Sequence, residues 1–426
     1  MKNKYDVIIA GGGTAGCACA YTCAKLGLKV LVIEQNSFLG GSITSSLVIP
    51  AMKTSDNAIN TEFFDLLYNE LHSVNGASTY SDGNKGWFNP ELTKIILDKI
   101  LKSVNTDIIF ESDIKKIEKE LLLYIVAIES NNSINNQDSL LSHIETRFVV
   151  DATGDAKICK MLNCEFLNDN ESMTQPINLR FIMSGIDIEK FSKWLMNYDS
   201  DRNVTTCTYT DNTILLSTAY TWDSNVNWAL KPLFKEGIEK GIITEEDSNY
   251  FQLFSVAGTG DSLAFNCPRI LDKEISRSKA YIKGRESIFR ISEFCKALLP
   301  GFENAYISSI ANTLGVRVSQ RVKGKYVYTY DDLINGKSFN NPVVISNYPI
   351  DIHSSDKNGS KLEKVNKEYQ LPLESLIAGD NLFVIGRCIS ADFKTQGALR
   401  IIPSCFSMGE GLGKYLANQV NAESQQ

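Results

Sequence analysis

Residues 6–16 read Asp6-Val7-Ile8-Ile9-Ala10-Gly11-Gly12-Gly13-Thr14-Ala15-Gly16. The β-branched run before Gly11 has the pattern of a buried parallel strand. Cys17 to Leu26 predicts a small-residue helix ended by Gly27, and Lys29 to Ile33 a second apolar strand that stops on Glu34. Strand, turn, helix and strand make a βαβ unit whose GxGxxG is carried by Gly11, Gly13 and Gly16. Gly11 permits the tight turn, Gly13 lets backbone approach a pyrophosphate, and Gly16 lets helix and sheet pack closely. The helix start offers free N–H groups and a positive dipole end to phosphates. Glu34 comes 18 residues after Gly16, where a carboxylate accepts hydrogen bonds from ribose hydroxyls and disfavours a 2′-phosphate. A glycine-rich turn with no ligand is the competing reading; the strand before, the helix after and the acid at this distance weigh against it.

Outward from this unit, the chain has 426 residues, 43% apolar and 22% charged, with a formal net charge of −7. That excludes a disordered chain and argues against a nucleic-acid footprint. No apolar run reaches the ~18 residues of a membrane span. The N-terminus enters its strand at once, without the longer apolar region of a secretory signal. The ten Cys lack zinc or disulfide spacing, so reduced thiols, a cytoplasmic location and no metal are expected. Cys17, Cys19 and Cys23 read as small packing residues. Of 28 glycines, seven lie in the first 41 residues and six in the last 48, about twice background usage.

The motif alone does not separate NAD from FAD. Three features favour FAD: the βαβ unit starts at residue 5, Gly40-Gly41-Ser42 follows Glu34 closely, and the remaining glycines cluster at the far end. Further motifs follow in order: Val149-Val150-Asp151-Ala152-Thr153-Gly154-Asp155, Leu314-Gly315-Val316-Arg317 with Arg321, Tyr348-Pro349-Ile350-Asp351-Ile352-His353, and Asn381 to Ser390 running on to Arg400 and a last helix. With these the chain resembles the FAD-dependent oxidoreductases of glutathione-reductase-type FAD fold, over nearly its whole length. The closest likeness is to a bacterial group described only as FAD-dependent oxidoreductases.

The resemblance implies an α/β fold: a Rossmann-like FAD-binding domain with a parallel central sheet, into which a mixed α+β substrate domain is inserted. The expected boundaries are 1–165 and 375–426 for the FAD-binding domain and 166–374 for the substrate domain. The expected FAD-binding residues are Gly11, Gly13, Thr14, Ala15 and Gly16 at the first turn, then Glu34, Gln35, Gly40, Gly41 and Ser42. Ile114, the turn Ala152, Thr153, Gly154 and Asp155, and Gly386 with Arg387 complete the middle. Arg400, Ile401 and Ile402 stand at the start of the last helix, which the resemblance places at the flavin N1–C2 carbonyl edge. Many flavoproteins of this fold have an acid where Arg387 stands, so that acid's role does not carry over.

Pro403 suits the first turn of that last helix. Gly409 and Gly413, spaced i,i+4, give it a smooth face. Thr61–His72 and Pro90–Ser103 predict helices; 106–110, 121–128 and 143–150 predict strands, with a hairpin tip over 131–139. The middle of the chain carries Trp194, Trp222 and Trp228. Gly258-Thr259-Gly260-Asp261 lacks a following helix, so no second dinucleotide motif is expected. Cys159 and Cys164, on a predicted helix, read as structural.

Of three histidines, His72 and His143 read as structural. His353 suits a catalytic role, taking a proton from substrate while hydride goes to flavin N5, with Asp351 to orient the ring. Arg317 and Arg321, i,i+4 on a predicted strand, face one cavity and suit a substrate carboxylate or phosphate; an ion pair closing the domain interface is the alternative. Phe393-Lys394 replaces a more polar pair of the relatives; if that loop meets the substrate, the substrate differs. The expected function is oxidation or reduction of a small organic substrate, with an unidentified electron acceptor or donor. A flavin-bearing electron-transfer subunit is the second reading and an NAD-dependent dehydrogenase the third. No nucleic-acid or membrane partner is expected, and a homodimer is left open.

Overall fold

The computed structural model describes residues 4–80, 87–130, 140–167, 174–209, 213–221, 229–272, 275–353 and 360–423. The expected tip at 131–139, Trp222 and Trp228 lie outside the described residues, as does the side chain of His143.

The chain opens with β1 (Lys4–Ala10), α1 (Thr14–Lys25) and β2 (Val30–Ile33). There follow α2 (Glu62–Ser73), α3 (Pro90–Ser103), β3 (Asp107–Ile109), β4 (Ser112–Glu120), β5 (Leu123–Ser130) and β6 (Leu140–Asp151). α3 keeps its predicted limits because Pro90 occupies the first turn and the Asn89 side chain accepts from the N–H of Glu91 and Leu92. β4 escaped the sequence reading: Ser-Asp-Ile-Lys-Lys-Ile-Glu-Lys-Glu buries Ile114 and Ile117 but exposes most of its Lys and Glu. It is an edge strand paired with β5 alone, and its charges mask the alternation.

In the central sheet β3, β2, β1 and β6 lie side by side, followed by strand Leu382–Val384; each neighbouring pair is parallel. The sheet therefore draws on both ends of the chain. Registers align the strand ends: Ala10 faces Ile33 on one side and Asp151 on the other, and Asp151 faces Val384. β1 sends Val7 and Ile9 into one apolar core and Ile8 and Ala10 into another, as alternation on a doubly covered sheet requires. This is an α/β fold of Rossmann type around a parallel sheet.

α1 is buried between that sheet and the final helix, Ile402–Glu423, and apart from Tyr21 its buried residues are small. A Cβ on Gly409 would stand 2.1 Å from the Ala15 carbonyl oxygen, and one on Gly413 2.7 Å from Thr22 Cβ. The smooth face expected of the last helix thus rests directly on α1.

The middle of the chain forms a second, six-stranded sheet in which every pair is antiparallel. Its order is Tyr306–Ile310, Phe181–Ser184, Leu263–Phe265, Tyr250–Ser255, Ile214–Thr221, Thr205–Tyr209. Helices Ile188–Tyr198 and Arg277–Leu298 accompany it. Trp194 stacks on Tyr198 within the first of these. Gly258–Asp261 turns between two antiparallel strands, Tyr250–Ser255 and Leu263–Phe265. Leu314 to Arg321 does not form the expected strand; isolated bridges join Gly315 to Asn178 and, just beyond, Val322 to Phe166.

Candidate functional site

Four parallel strands end at one edge, and a cleft open to solvent runs across their carboxyl ends. Open α/β sheets bind ligands at this position. In sheet order the cleft passes Glu34 after β2, Gly11 after β1, Ala152 after β6 and Gly386 after strand Leu382–Val384.

At the β2 end, Glu34 is buried, and its Oε2 accepts from the N–H of Gly12 at 2.7 Å while Oε1 accepts from the N–H of Asn36 at 2.8 Å. Burial pushes its carboxyl up, and these N–H groups hold it back. Gln35, Asp113 and Ile114 line the same end.

At the β1 end, Gly11 has φ +103°, and a Cβ there would meet Ala152 O at 2.6 Å. Gly16 would drive a Cβ to 2.1 Å from Gly11 O. Gly13 differs: its Cβ would meet only Gly41 Cα, at 3.8 Å, so it faces open cleft. It caps α1 with no side chain, leaving the helix start facing the cleft beside Thr14 and Ala15. Gly40 pairs with Gly13 across an isolated bridge and stands behind the wall that Gly41 and Ser42 form.

The turn after β6 is organised by Asp151, fully buried. Its Oδ1 accepts from the N–H and hydroxyl of Thr153, and its Oδ2 from the N–H of Cys159. That carboxylate pulls helix Lys157–Met161 against the strand end, which presents Ala152 to Asp155 to the cleft. Only Cys159 is on this helix; Cys164 follows it, and both are free thiols.

Arg387 knits three segments together. It donates to Gly154 O at 2.7 Å, Val316 O at 3.2 Å and Asp155 Oδ1 at 2.6 Å. Burial alone would raise the Asp155 carboxyl, but Arg387 and then Arg277 hold it below the usual carboxylate range.

The far end of the cleft is walled by Asn178, Arg180, Leu314 to Arg317, Arg400 and Cys405. Gly315 makes this wall possible, because a Cβ there would sit 1.9 Å from Asn178 Oδ1. Arg317 donates to Pro176 O at 2.8 Å and Arg180 to Leu47 O at 3.3 Å. Burial lowers the Arg317 guanidinium, as do Arg400, Arg269 and Arg180 nearby; burial lowers Arg180 to about 10. Arg321 does not share this wall. It is buried behind it, donating to Ala391 O at 2.9 Å. Phe393 and Lys394 open a short helix capped by Asp392, and neither lines the cleft.

His353 is buried and off the cleft wall. A guanidinium has only donors, so the contact from Arg269 makes Nδ1 an acceptor and leaves the ring proton on Nε2. Nε2 faces Asp351 Oδ2 at 3.2 Å, and Arg400 Nη2 reaches the same oxygen at 3.3 Å. Burial, then Arg317, lowers His353 well below its ordinary value, so the ring is neutral. Burial alone would raise Asp351; the His353 contact, Arg400 and Arg317 outweigh it and hold the carboxyl well below the usual range. Asp351 orients the ring as expected, but both ring nitrogens are engaged and no substrate-facing wall includes them. Ile401 and Ile402 also stand behind the wall, which Arg400 and Cys405 form. His72 sits on α2, stacked on Tyr68.

The sequence reading missed Arg180, Asn178 and Cys405. Arg180 and Asn178 lie in Gln175-Pro-Ile-Asn-Leu-Arg, without a motif, and reach the cleft only through the second sheet. Cys405 had a signal, its place one turn into the last helix beyond Arg400. Its thiol is pushed up to about 12 by burial.

An FAD fits these residues. The helix start at Gly13 is uncapped, the space a Cβ would take there is open, and Arg400 Nε is a buried donor with no hydrogen-bond partner.

A family model described as FAD dependent oxidoreductase matches residues 6–425. A putative bifunctional amine oxidase of Dictyostelium discoideum is 46% identical over 54 residues, 13% of this chain and 5% of that protein. A putative sarcosine oxidase of Caenorhabditis elegans is 30% identical over 124 residues, 27% of this chain and 32% of that protein. A glycerol 3-phosphate oxidase of Mycoplasma genitalium is 26% identical over 144 residues, 32% and 33% of the two chains. The chain thus spans no more than about a third of these relatives. Among solved structures, p-nitrophenol 4-monooxygenase of Pseudomonas putida DLL-E4 aligns with 99% of this chain and 81% of its own at TM-score 0.50 and 11% identity, a likeness of fold.

Proposed function

The chain belongs to the FAD-dependent oxidoreductases, with FAD as its cofactor, and from that premise we propose that it oxidises or reduces a small organic substrate at the basic end of the cleft. Bound FAD supplies an isoalloxazine that exchanges hydride at N5. The observation that carries the reading is the cleft itself: it leads from the glycine turns after β1 and β6 to a wall of arginines.

In this reading the start of α1, with Gly11, Gly13, Thr14 and Ala15, holds the pyrophosphate, and Glu34 accepts from ribose. Ala152 to Asp155, braced by Arg387, close the other side. Arg400 would add positive charge to the N-terminal dipole of the final helix, and both would stabilise negative charge on a bound flavin. Arg317 orients substrate. His353 acts as a positioning residue, fixing Asp351 and through it Arg400. The segment 166–374 supplies the substrate wall, between the two parts of the cofactor domain. The ten free thiols support a reducing, cytoplasmic compartment. Among the described residues no helix is long and apolar enough to cross a membrane.

Heating the purified protein and identifying the released cofactor tests the first step: FAD is expected, and NAD or no flavin would overturn the reading. Anaerobic mixing with a panel of small organic compounds tests the second. Bleaching of the flavin by one of them supports an enzyme; reduction only through an added protein partner marks an electron-transfer subunit instead.

A further inference from the structure

Among the described residues, the arginine-walled end of the cleft holds more positive charge than its carboxylates neutralise. Arg180, Arg317 and Arg400 line it, and Arg269 stands behind them. Arg180 and Arg317 are each more than nine-tenths buried. Among the described residues, the carboxylate that pairs with this group is Asp351, which meets Arg400 at 3.3 Å. Arg180 and Arg317 instead direct hydrogen bonds to main-chain carbonyls of Leu47 and Pro176. These carbonyls satisfy single N–H groups but cancel no charge.

Guanidinium groups held together in a poorly solvated wall repel one another, and buried charge without a counter-charge is costly. Such an arrangement persists where a ligand supplies the missing charge. The cofactor's pyrophosphate does not answer for it, because the glycine turn and the start of α1 hold that group at the ends of β1 and β6. Arg387, nearest that turn, is already paired with Asp155 at 2.6 Å. Arg400 has a role toward the flavin edge, which leaves Arg180 and Arg317. Both are planar forks suited to two oxygens of one group, and Asn178 beside them adds an amide.

We propose that Arg180 and Arg317, with Asn178, bind the oxyanion of an acidic substrate, a carboxylate or a phosphate monoester, and thereby hold that substrate's reacting carbon at the flavin. This rests on the reading of the cleft as a flavin site.

The test uses the FAD-loaded protein. Sodium acetate, inorganic phosphate and neutral acetamide are titrated separately at constant ionic strength, followed by the visible difference spectrum of the flavin and by calorimetry. Saturable binding of acetate or of phosphate, with none of acetamide, is expected; which anion binds assigns carboxylate or phosphate. Arg317→Gln and Arg180→Gln are expected to weaken it about tenfold or more, the loss of a charged hydrogen bond. Lys394→Gln, off the cleft, removes the same charge and is expected to leave it unchanged. Arg317→Lys, which keeps the charge but loses the fork, serves if the Gln variant does not fold, and is expected to weaken binding as well. No saturable anion binding, or equal weakening by Arg317→Gln and Lys394→Gln, overturns the inference. Absence of FAD in the heated protein would instead overturn the flavin reading, while calorimetry with the anions still decides this one.

Discussion

Nε2 of His353 lies 3.2 Å from Oδ2 of Asp351, in a buried cluster where the imidazole is neutral and the carboxylate ionised. The pair has a pH signature. Unfolded, His353 takes up a proton below about pH 6.5 and Asp351 below about 4; folded, both resist it. Their contributions are complete above those values and drain away as pH falls. His353→Asn should therefore flatten the fall of thermal stability between about pH 6.5 and 4, measured as Tm against pH. Asp351→Asn should cost roughly 3–5 kcal/mol at neutral pH, because it leaves buried arginines without their carboxylate, and should flatten the fall below about pH 4. A parent-like profile for His353→Asn would show that the ring does not titrate with folding.

Two glycines of the first motif are expected to fail in different ways. Gly13→Ala meets only open cleft, at a φ of −75° that alanine adopts freely. The protein without cofactor should unfold at the parent temperature, while FAD affinity drops by about tenfold or more through contact with the pyrophosphate. Gly16→Ala drives a Cβ into Gly11 O at 2.1 Å and should lower the unfolding temperature itself. Apo-protein calorimetry beside fluorescence titration of FAD separates the two.

Gly409→Ala should destabilise although alanine is the better helix former by about 1 kcal/mol. Its Cβ would stand 2.1 Å from Ala15 O, a backbone atom that cannot swing away. The final helix must lift off α1, at a cost of roughly 1–3 kcal/mol, and because Ala15 lines the cleft FAD retention should fall too. Urea unfolding with and without FAD measures both. An unchanged midpoint would mean the two helices are not in contact at this point.

Arg387→Ala removes the link from Gly154 O and Asp155 to Val316 O. The expected result is faster FAD release, by about ten- to a hundredfold, with a smaller loss of apo stability. Asp155→Asn should lose less, since the carbonyl contacts of Arg387 remain. Stopped-flow release of FAD from the two single variants and the double variant gives their coupling.

Much of the cofactor half was legible because each of its signals is local. A βαβ turn, an acid at the end of β2 and a glycine pair after it act through backbone within a few residues, so residue type and spacing suffice. β4 was illegible because its Lys and Glu, and a register shift between Ile114 and Lys116, mask the alternation of a charged edge strand. The role expected of His353 changed for a reason no local pattern holds: Arg269, 84 residues away in sequence, occupies its Nδ1. Arg321 likewise shares a motif with Arg317, yet the backbone of 317–321 forms no strand and does not keep the facing that a strand would impose.

By itself the sequence determined the α/β unit at the N-terminus, because steric need for glycine and strand periodicity are written residue by residue, and the order of its motifs, through a family resemblance, pointed to the kind of cofactor. Only the tertiary structure decided which basic groups face the cleft. Arg180, Arg317 and Arg400 come from three distant segments, and the burial and mutual repulsion that give them meaning exist only once the second sheet is folded against the first.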